Sequence, residues 1–446
     1  GCVHWLVGSS PESGMHRYWE EVGIVQGREF VNLDAYMQYE AADGRTLTLY
    51  SDVDRLEAHL LAFSPQDAEP IREFIEGIRL GINFDPPTEY DPLLKRLQKG
   101  LQFALKGRAI QRWLKLSNED FTARFKDPVL RNALRDMWFP EFSMFFMLFT
   151  FAYLHNQNAG YPIGGSMPMS RALEERYKAL GGTIRYRSRV EKILVEDDRA
   201  VGVRLADGSE HRAGRVISAA DGHATIFEML EGKYGDEKTF EPYESWPTFP
   251  SLLFIGLGVN RTFEDVLQLV SGLSFPLEEP TKIGNEMRER LDVRVFNHDP
   301  TLAPEGKTSM TVMMNGDYDY WKKLAQDRDA YQAKQDEAAE TVVQLLEQRF
   351  PGIADDVEMV DVATPLTFEH YTDNWKGSFE GWLITPENAH TMMRPMRQTL
   401  PGLDRFYMCG QWVEPGGGLP TGVMSGRRLV KALCKEDGTK FEMTVA

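Results

Sequence analysis

Three consecutive glycines, Gly416, Gly417 and Gly418, lie between a short apolar run, Leu403–Cys409, and the helix-like sequence Arg427-Arg-Leu-Val-Lys-Ala-Leu-Cys434. That order predicts a strand, a tight turn and a helix, with Thr421 placed to cap a helix beginning at Gly422. The glycines let the backbone pass close to a ligand. A helix start presents unpaired N–H groups and the positive end of a dipole, which suit a phosphate or an electron-rich carbonyl and ring nitrogen. The other reading is an ordinary turn before a terminal helix, although three glycines exceed what such a turn requires.

A chain of 446 residues can bury a sizeable interior, and its length predicts two or three domains. The formal net charge of -17 argues against general nucleic-acid binding, which needs a basic footprint, and fits an acidic soluble enzyme. Cys2, Cys409 and Cys434 form no Cys-x-x-Cys pair, so neither a disulfide framework nor a zinc site is expected and a reducing compartment fits. The histidines are scattered without ligand spacing, so no metal is expected. No apolar run reaches the length of a membrane span. The chain opens Gly1-Cys-Val-His-Trp-Leu6, without Met or a secretory cleavage pattern, and reads as a fragment or a processed chain. The expected location is the cytoplasm, with peripheral docking on the inner face of a membrane as an option.

Along the chain, Ser13–Val22 is helix-like, and Tyr36-Met-Gln-Tyr and Thr46-Leu-Thr-Leu form a hairpin through Asp43-Gly44. Asp54–Leu80 is helical in pattern, broken at Ser64-Pro65. Leu93–Leu116 carries Lys95, Arg96, Lys99, Lys106, Arg108, Arg112 and Lys115 with no acidic residue, interleaved with leucines and Trp113. Such a helix either lies in a membrane interface or is a basic face packed on the protein's own acidic body. Phe142–Leu154 is apolar all round but too short to span a bilayer. It is a buried core helix, or one wall of a long apolar substrate tunnel. From Gly164 a helix runs to Leu180, followed by short strands at Thr183–Arg187, Val190–Val195, Ala200–Leu205 and Glu210–Arg212. Arg215–Asp221 is an apolar strand ending in small residues. Trp246–Asn260 and Thr308–Asn315 are strand candidates flanking a charged helix, Glu278–Arg290. Tyr331–Phe350 is an amphipathic helix, and Val357–Ala363 a further strand.

Gly164–Asp221, Thr364-Pro-Leu-Thr through Gly381-Trp382, and Gly410–Gly426 occur in an order and at distances that resemble the phytoene desaturase, carotenoid isomerase and retinol saturase group of FAD-dependent oxidoreductases. The resemblance covers essentially the whole chain. It implies a mixed α/β (α+β) fold, in which a Rossmann-like FAD-binding domain is interleaved with a substrate domain of antiparallel sheet and helices. The implied division is 1–10 as a remnant of the FAD-binding domain, 11–159 as a mostly helical substrate or cap region, and 160–235 as FAD-binding domain. Residues 236–400 would then be the substrate domain, and 401–446 the C-terminal part of the FAD-binding domain. The family's opening βαβ unit with Gly-x-Gly-x-x-Gly is missing from this sequence, so N-terminal truncation is expected and FAD binding by the chain itself is expected to be poor. Gln411 stands where several relatives place an acidic residue.

The resemblance implies FAD as cofactor and a long apolar polyene as substrate. Val190 would meet the adenine end through its backbone, and Ala220 and Asp221 would border the same half, although Asp221 could equally cap the following helix. Gly410 and Gln411 would lie along the ribityl and phosphate region. Gly417, Gly418 and Pro420 would form the turn at the ring, with the N–H groups of Gly422, Val423 and Met424 aimed at the pyrimidine edge of the isoalloxazine. His4 and Trp5 would sit near the ring, yet a lone histidine is more often structural. Glu369, His370 and Tyr371 are alternative polar candidates. Two other readings remain open at this point. One is an amine or amino-acid oxidase on the same architecture, and the other a non-catalytic prenyl or lipid binder of the Rab escort and GDP-dissociation-inhibitor type.

Overall fold

The computed structural model describes residues 4–83, 90–264, 266–392 and 394–443, so Cys2 lies outside the described residues. Short strand β1 (Leu6–Val7) and α1 (His16–Val22) precede β2 (Phe30–Val31) and the hairpin of β3 (Ala35–Glu40) and β4 (Thr46–Tyr50). Helices α2 (Val53–Phe63) and α3 (Ala68–Ile82) are separated at Ser64-Pro65, where proline cannot continue the hydrogen-bond ladder. Asp52 caps α2 by accepting from the N–H groups of Asp54 and Arg55 at 3.1 and 2.9 Å. The basic segment is α4 (Leu93–Leu114), followed by α5 (Asn118–Thr122), α6 (Pro128–Met137) and α7 (Met144–His155). Helix α7 is the apolar run, and Met147, Leu148, Phe151 and Ala152 are buried along it. Gly77 and Gly81 bring α3 onto α7. A Cβ at either position would stand 2.8 Å from the side chain of Leu148 or Ala152.

After β5 (Ala159–Pro162) and α8 (Ser166–Ala179), β6 (Val190–Glu196), β7 (Arg199–Leu205) and β8 (Glu210–Arg212) form a three-stranded antiparallel sheet. Thr183–Arg187, expected as a strand, is irregular. Arg187 adopts a φ of 54°, a left-handed conformation that extended backbone does not accommodate. Strand β9 (Val216–Ser218) leads to Asp221 and a π-helical turn, Ala224–Met229, and then to α9 (Glu237–Ser245).

Next come β10 (Leu252–Val259), β11 (Val270–Ile283), β12 (Glu286–Val295) and β13 (Thr308–Asn315), then α10 (Tyr318–Leu324), α11 (Arg328–Arg349), α12 (Ile353–Asp356) and β14 (Val357–Ala363). A seven-stranded sheet runs β14-β10-β13-β12-β11-β3-β4, antiparallel except where β11 meets β3. The expected charged helix Glu278–Arg290 is therefore corrected to a hairpin that turns at Gly284-Asn285. Leu291, Val293 and Val295 alternate with Arg290, Asp292 and Arg294. That period of two buries one face against Val342, Leu345 and Leu346 of α11, and cross-strand packing overrides the helical propensity of Glu and Arg. The other face of β12 carries the charged residues.

The chain closes with α13 (Pro365–Thr372), β15 (Phe406–Met408) and α14 (Gly418–Glu436). Strand β15 pairs parallel with β9, Phe406 opposite Val216. Helix α14 begins at Gly418 rather than Gly422, and Thr421 is inside it, donating its hydroxyl to Gly418 O at 2.8 Å instead of capping. The left-handed φ of 70° at Gly417 lets the chain enter the helix earlier than a threonine cap would. Among the described residues no helix is long and apolar enough to cross a membrane, and no group of His, Cys, Asp and Glu could hold a metal ion.

Candidate functional site

A cavity of about 1790 Å³ runs between the glycine turn, the start of α7 and the charged face of β12. Its apolar wall is aromatic. Phe142 and Phe146 stack at 4.5 Å between ring centroids, and Phe145 and Phe149 at 4.0 Å. Phe145 and Phe149 share a face of α7 by their i, i+4 spacing, and Phe142, just before the helix, stacks onto Phe146 in its first turn. Phe139, Phe249 and Phe379 extend the wall, with Phe139 and Phe249 edge to face at 5.8 Å.

The two distant C-terminal motifs meet at the opposite wall. Gln411 Nε2 donates to Asn374 Oδ1 at 3.2 Å, Gly416 N–H donates to Trp382 O at 3.2 Å, and Trp382 packs edge-on against Trp412 at 4.9 Å. Gly416, Gly417 and Gly418 all have positive φ, which keeps the turn narrow and its backbone accessible. Glu380 lies against this turn and accepts the Gly418 N–H at 3.1 Å. Enclosure by protein raises its pKa to about 7, opposed by that hydrogen bond.

The sheet wall is polar. Arg290 donates to Ser274 Oγ at 3.1 Å and lies 3.6 Å over the Tyr39 ring, while Arg294 donates to Ser271 Oγ at 2.7 Å. Desolvation by the surrounding cavity walls pushes Asp292, which is open to the cavity, up from the usual carboxylate value and Arg290 down. His4 lies at this end. Burial, and then the charge of Arg294, lower its pKa well below the ordinary value and keep the imidazole neutral. Trp5 packs edge-on against Tyr36 at 5.5 Å and Trp138 at 6.2 Å.

The cavity brings together His4, Trp5, Gln411, Gly417, Gly418, Pro420 and Met424. Val190, Ala220, Asp221, Gly410, Gly422 and Val423 are not on its wall. Val190 opens β6 opposite Leu205, and Val423 packs on the cluster of Leu6 and Trp19. Asp221 Oδ1 accepts from Ala224 N–H at 2.7 Å and Oδ2 from Trp375 N–H at 2.9 Å, so it caps the turn that follows it and ties it to Trp375. Burial nevertheless raises its pKa to about 7. Because α14 starts at Gly418, its terminal N–H groups belong to Gly417, Gly418 and Leu419. Those of Gly422, Val423 and Met424 fall in the hydrogen-bonded body of the helix. Glu369 accepts from Tyr318 on α10 at 2.6 Å, and with His370 and Tyr371 it lies on α13, away from the cavity wall. Sequence reasoning missed Glu380, the one acid in Gly-Ser-Phe-Glu-Gly-Trp382, and the charged stripe of β12, which the alternation Arg290-Leu-Asp-Val-Arg-Val295 encodes.

The backbone on this side is open to close approach by a flat cofactor. Ala219 and Ala220 are exposed at the carboxyl end of β9, beside Gly410, where even an added Cβ would stay 3.8 Å from Ala219 O. Carboxyl ends of parallel strands edged by small residues admit a cofactor to the backbone. Around Gly422 and Gly426 an added Cβ would meet nothing within 4 Å.

Comparison with known proteins establishes the class as a flavin-dependent oxidoreductase. The chain belongs to the flavin containing amine oxidoreductase family, whose model matches residues 3–434, and FAD is its cofactor. A phytoene desaturase (neurosporene-forming) of Rhodobacter capsulatus is 24% identical over 473 aligned residues, covering 96% of this chain and 86% of the relative. A chloroplastic prolycopene isomerase of Arabidopsis thaliana is 28% identical over 277 residues, covering 61% of this chain and 45% of the relative, so the match spans under half of that isomerase. Among solved structures, an oxidoreductase from Methanosarcina mazei aligns with a TM-score of 0.52 at 19% identity, covering 96% of this chain and 88% of that one. A putrescine oxidase aligns at 0.59 and 12% identity, covering 97% and 87%. These two likenesses establish the fold.

Proposed function

We propose that the protein acts on a long apolar polyene of carotenoid or retinoid type, as a desaturase, saturase or isomerase. The observation that carries this reading is the continuous phenylalanine wall of the cavity, which holds an extended hydrocarbon and excludes water. The relatedness to phytoene desaturases and prolycopene isomerases supports it. Bound FAD supplies the hydride acceptor or donor. Val190, Ala220 and Asp221 would border its adenine half, and Gly410 and Gln411 its ribityl region. Gly417, Gly418, Pro420 and the helix that continues through Gly422, Val423 and Met424 would approach the ring, with His4 and Trp5 closing the far side. The stacked Phe142–Phe146 and Phe145–Phe149 pairs then orient the chain of double bonds across that turn. Incubation of FAD-loaded protein with a long acyclic polyene in liposomes should give products of altered double-bond number or geometry. Unchanged polyene, with flavin bound, would reject the reading.

Docking on a membrane surface through α4 belongs to the same proposal. Leu93, Leu94, Leu97, Leu101 and Leu105 are between 63% and 82% exposed on a helix that also carries Lys95, Arg96 and Arg108. Part of its charge is answered within the protein, Lys99 by Asp91 at 2.9 Å and Arg112 by Glu73. Farther along, Ile110 and Leu114 line the cavity, so a single helix links the exposed leucines to the site. This continuity suits a substrate that arrives from lipid.

A second reading is favoured by the charged stripe on β12. Arg290, Asp292 and Arg294 could hold the amino or carboxylate group of an amine or amino-acid substrate, or the oxygenated end of a polyene.

A further inference from the structure

We propose that Glu380 is the proton-exchanging group of the cavity, taking up the proton that a polyene carbon loses when a new double bond forms. The inference rests on the polyene reading above. Its footing is geometric. The segment that carries Glu380 is clamped to the segment before β10 by backbone hydrogen bonds on both sides. Phe379 N–H donates to Pro250 O at 3.2 Å, Phe249 N–H to Gly381 O at 3.0 Å, and Leu383 N–H to Pro247 O at 3.0 Å. On its other side Gly381 is pressed against Gln411, and a Cβ there would stand 2.8 Å from Gln411 O. The side chain is thus delivered to one place, between the glycine turn and the phenylalanine wall.

At that place one oxygen, Oε1, accepts the Gly418 N–H, and Oε2 fills the space where any residue but glycine at position 417 would put its Cβ. That same Cβ would lie 3.2 Å from the edge of Phe249. Among the described residues Glu380 forms no ion pair. Of the acids on neighbouring elements, Glu141 is exposed to solvent and Glu414 pairs with Arg428. The remaining charged groups of the cavity, His4, Glu12, Arg135, Asp136 and, on β12, Arg288, Glu289, Arg290, Asp292 and Arg294, belong to the N-terminal segment, α6 and β12. Glu380 is therefore the acid that shares a wall with both the glycine turn and the aromatic rings. A carboxyl with its pKa raised to about 7 passes easily between proton acceptor and proton donor near neutrality.

Bound FAD would supply the acceptor for the hydrogen that one polyene carbon gives up with both bonding electrons. On the adjacent carbon a C–H bond breaks, its electron pair becomes the second bond of the new C=C, and the proton forms an O–H bond with Glu380. Solvent then receives the proton. Run backwards, the same carboxyl protonates carbon during saturation.

The test uses the full chain in three forms: wild type, Glu380→Gln and Glu380→Asp. In Glu380→Gln the amide oxygen still accepts the Gly418 N–H, so the fold and flavin binding should survive, as flavin absorbance will report. Infrared titration of the protein should show a carboxylic-acid band, absent from Glu380→Gln, with a midpoint near neutral pH. A midpoint at the ordinary value of about 4.3 would overturn the assignment. Turnover of a polyene by Glu380→Gln should fall by roughly 10²–10⁴-fold, while Glu380→Asp should recover part of it with a displaced pH profile. Equal turnover by wild type and Glu380→Gln would refute the role of Glu380 while leaving the polyene reading intact. A wild-type protein that turns over amines but no polyene would remove the substrate reading and this assignment with it.

Discussion

Glu380 occupies the side-chain space of Gly417. The carboxylate oxygen Oε2 overlaps the position a Cβ would take there, so the glycine turn and this acid are a single unit of packing. Gly417 also has a φ of 70°, which an L side chain rarely adopts. Gly417→Ala should therefore both displace Glu380 and strain the entry to α14. The expected cost is about 1–2 kcal/mol from the backbone alone, read as a lower thermal midpoint, together with weaker flavin retention. Glu380→Gly in the same background should restore flavin retention in part, because the clash is then gone.

Two of the carboxyls with raised pKa, Asp221 and Glu380, fix a pH dependence, and Asp292 shifts in the same direction. Asp221 and Glu380 have folded pKa values of about 7, above those of an unfolded chain, so the folded state holds protons that the unfolded state releases. Their contribution is fully present below about pH 4 and is lost as pH rises towards 7. Chemical denaturation between those values should show this decline, and Asp221→Asn should flatten it. Asp221→Asn should also lower stability by about 1–3 kcal/mol, because an amide cannot accept from both Ala224 and Trp375 N–H groups as the carboxyl does.

The phenylalanine wall separates structural from substrate roles. Phe142 is 2% exposed, and Phe142→Ala should destabilise the protein by about 3–5 kcal/mol. Phe146, stacked on it but half-buried and facing the cavity, should cost less stability when cut to Ala. Its loss should instead raise the KM for polyene with little change in flavin absorbance.

Much of this was legible in the sequence where a single local signal agreed with tertiary packing. The apolar run of α7, the Asp43-Gly44 hairpin and the break at Ser64-Pro65 all form as their patterns predict. The failures have physical causes. Glu278–Arg290 has helix-forming residues but pairs as β11 and β12, since β12 finds neighbours on both sides and α11 beneath one face. The start of α14 was misplaced because a positive-φ glycine opens the helix at Gly418 and makes the Thr421 cap unnecessary. Glu380 went unweighed because its meaning arises only when Gly377–Trp382 is folded against Gly416–Gly418, a contact that sequence spacing does not reveal.

The exposed leucines of α4 should make lipid binding depend on both charge and apolar area. Sedimentation with anionic vesicles should capture the protein, and capture should weaken with salt and with Lys95→Gln and Arg96→Gln. Leu94→Ser with Leu97→Ser should reduce capture even at low salt, whereas a basic surface that merely faces solvent would leave the protein in the supernatant throughout.

The most direct test is anaerobic mixing of the FAD-loaded protein with substrates while the flavin absorbance is followed. A long polyene delivered in vesicles should bleach the oxidised flavin of a desaturase, or reoxidise the reduced flavin of a saturase, or isomerise on contact with the reduced form, and small amines should do none of these. Bleaching by amines, with polyenes unchanged in either flavin state, would contradict the account.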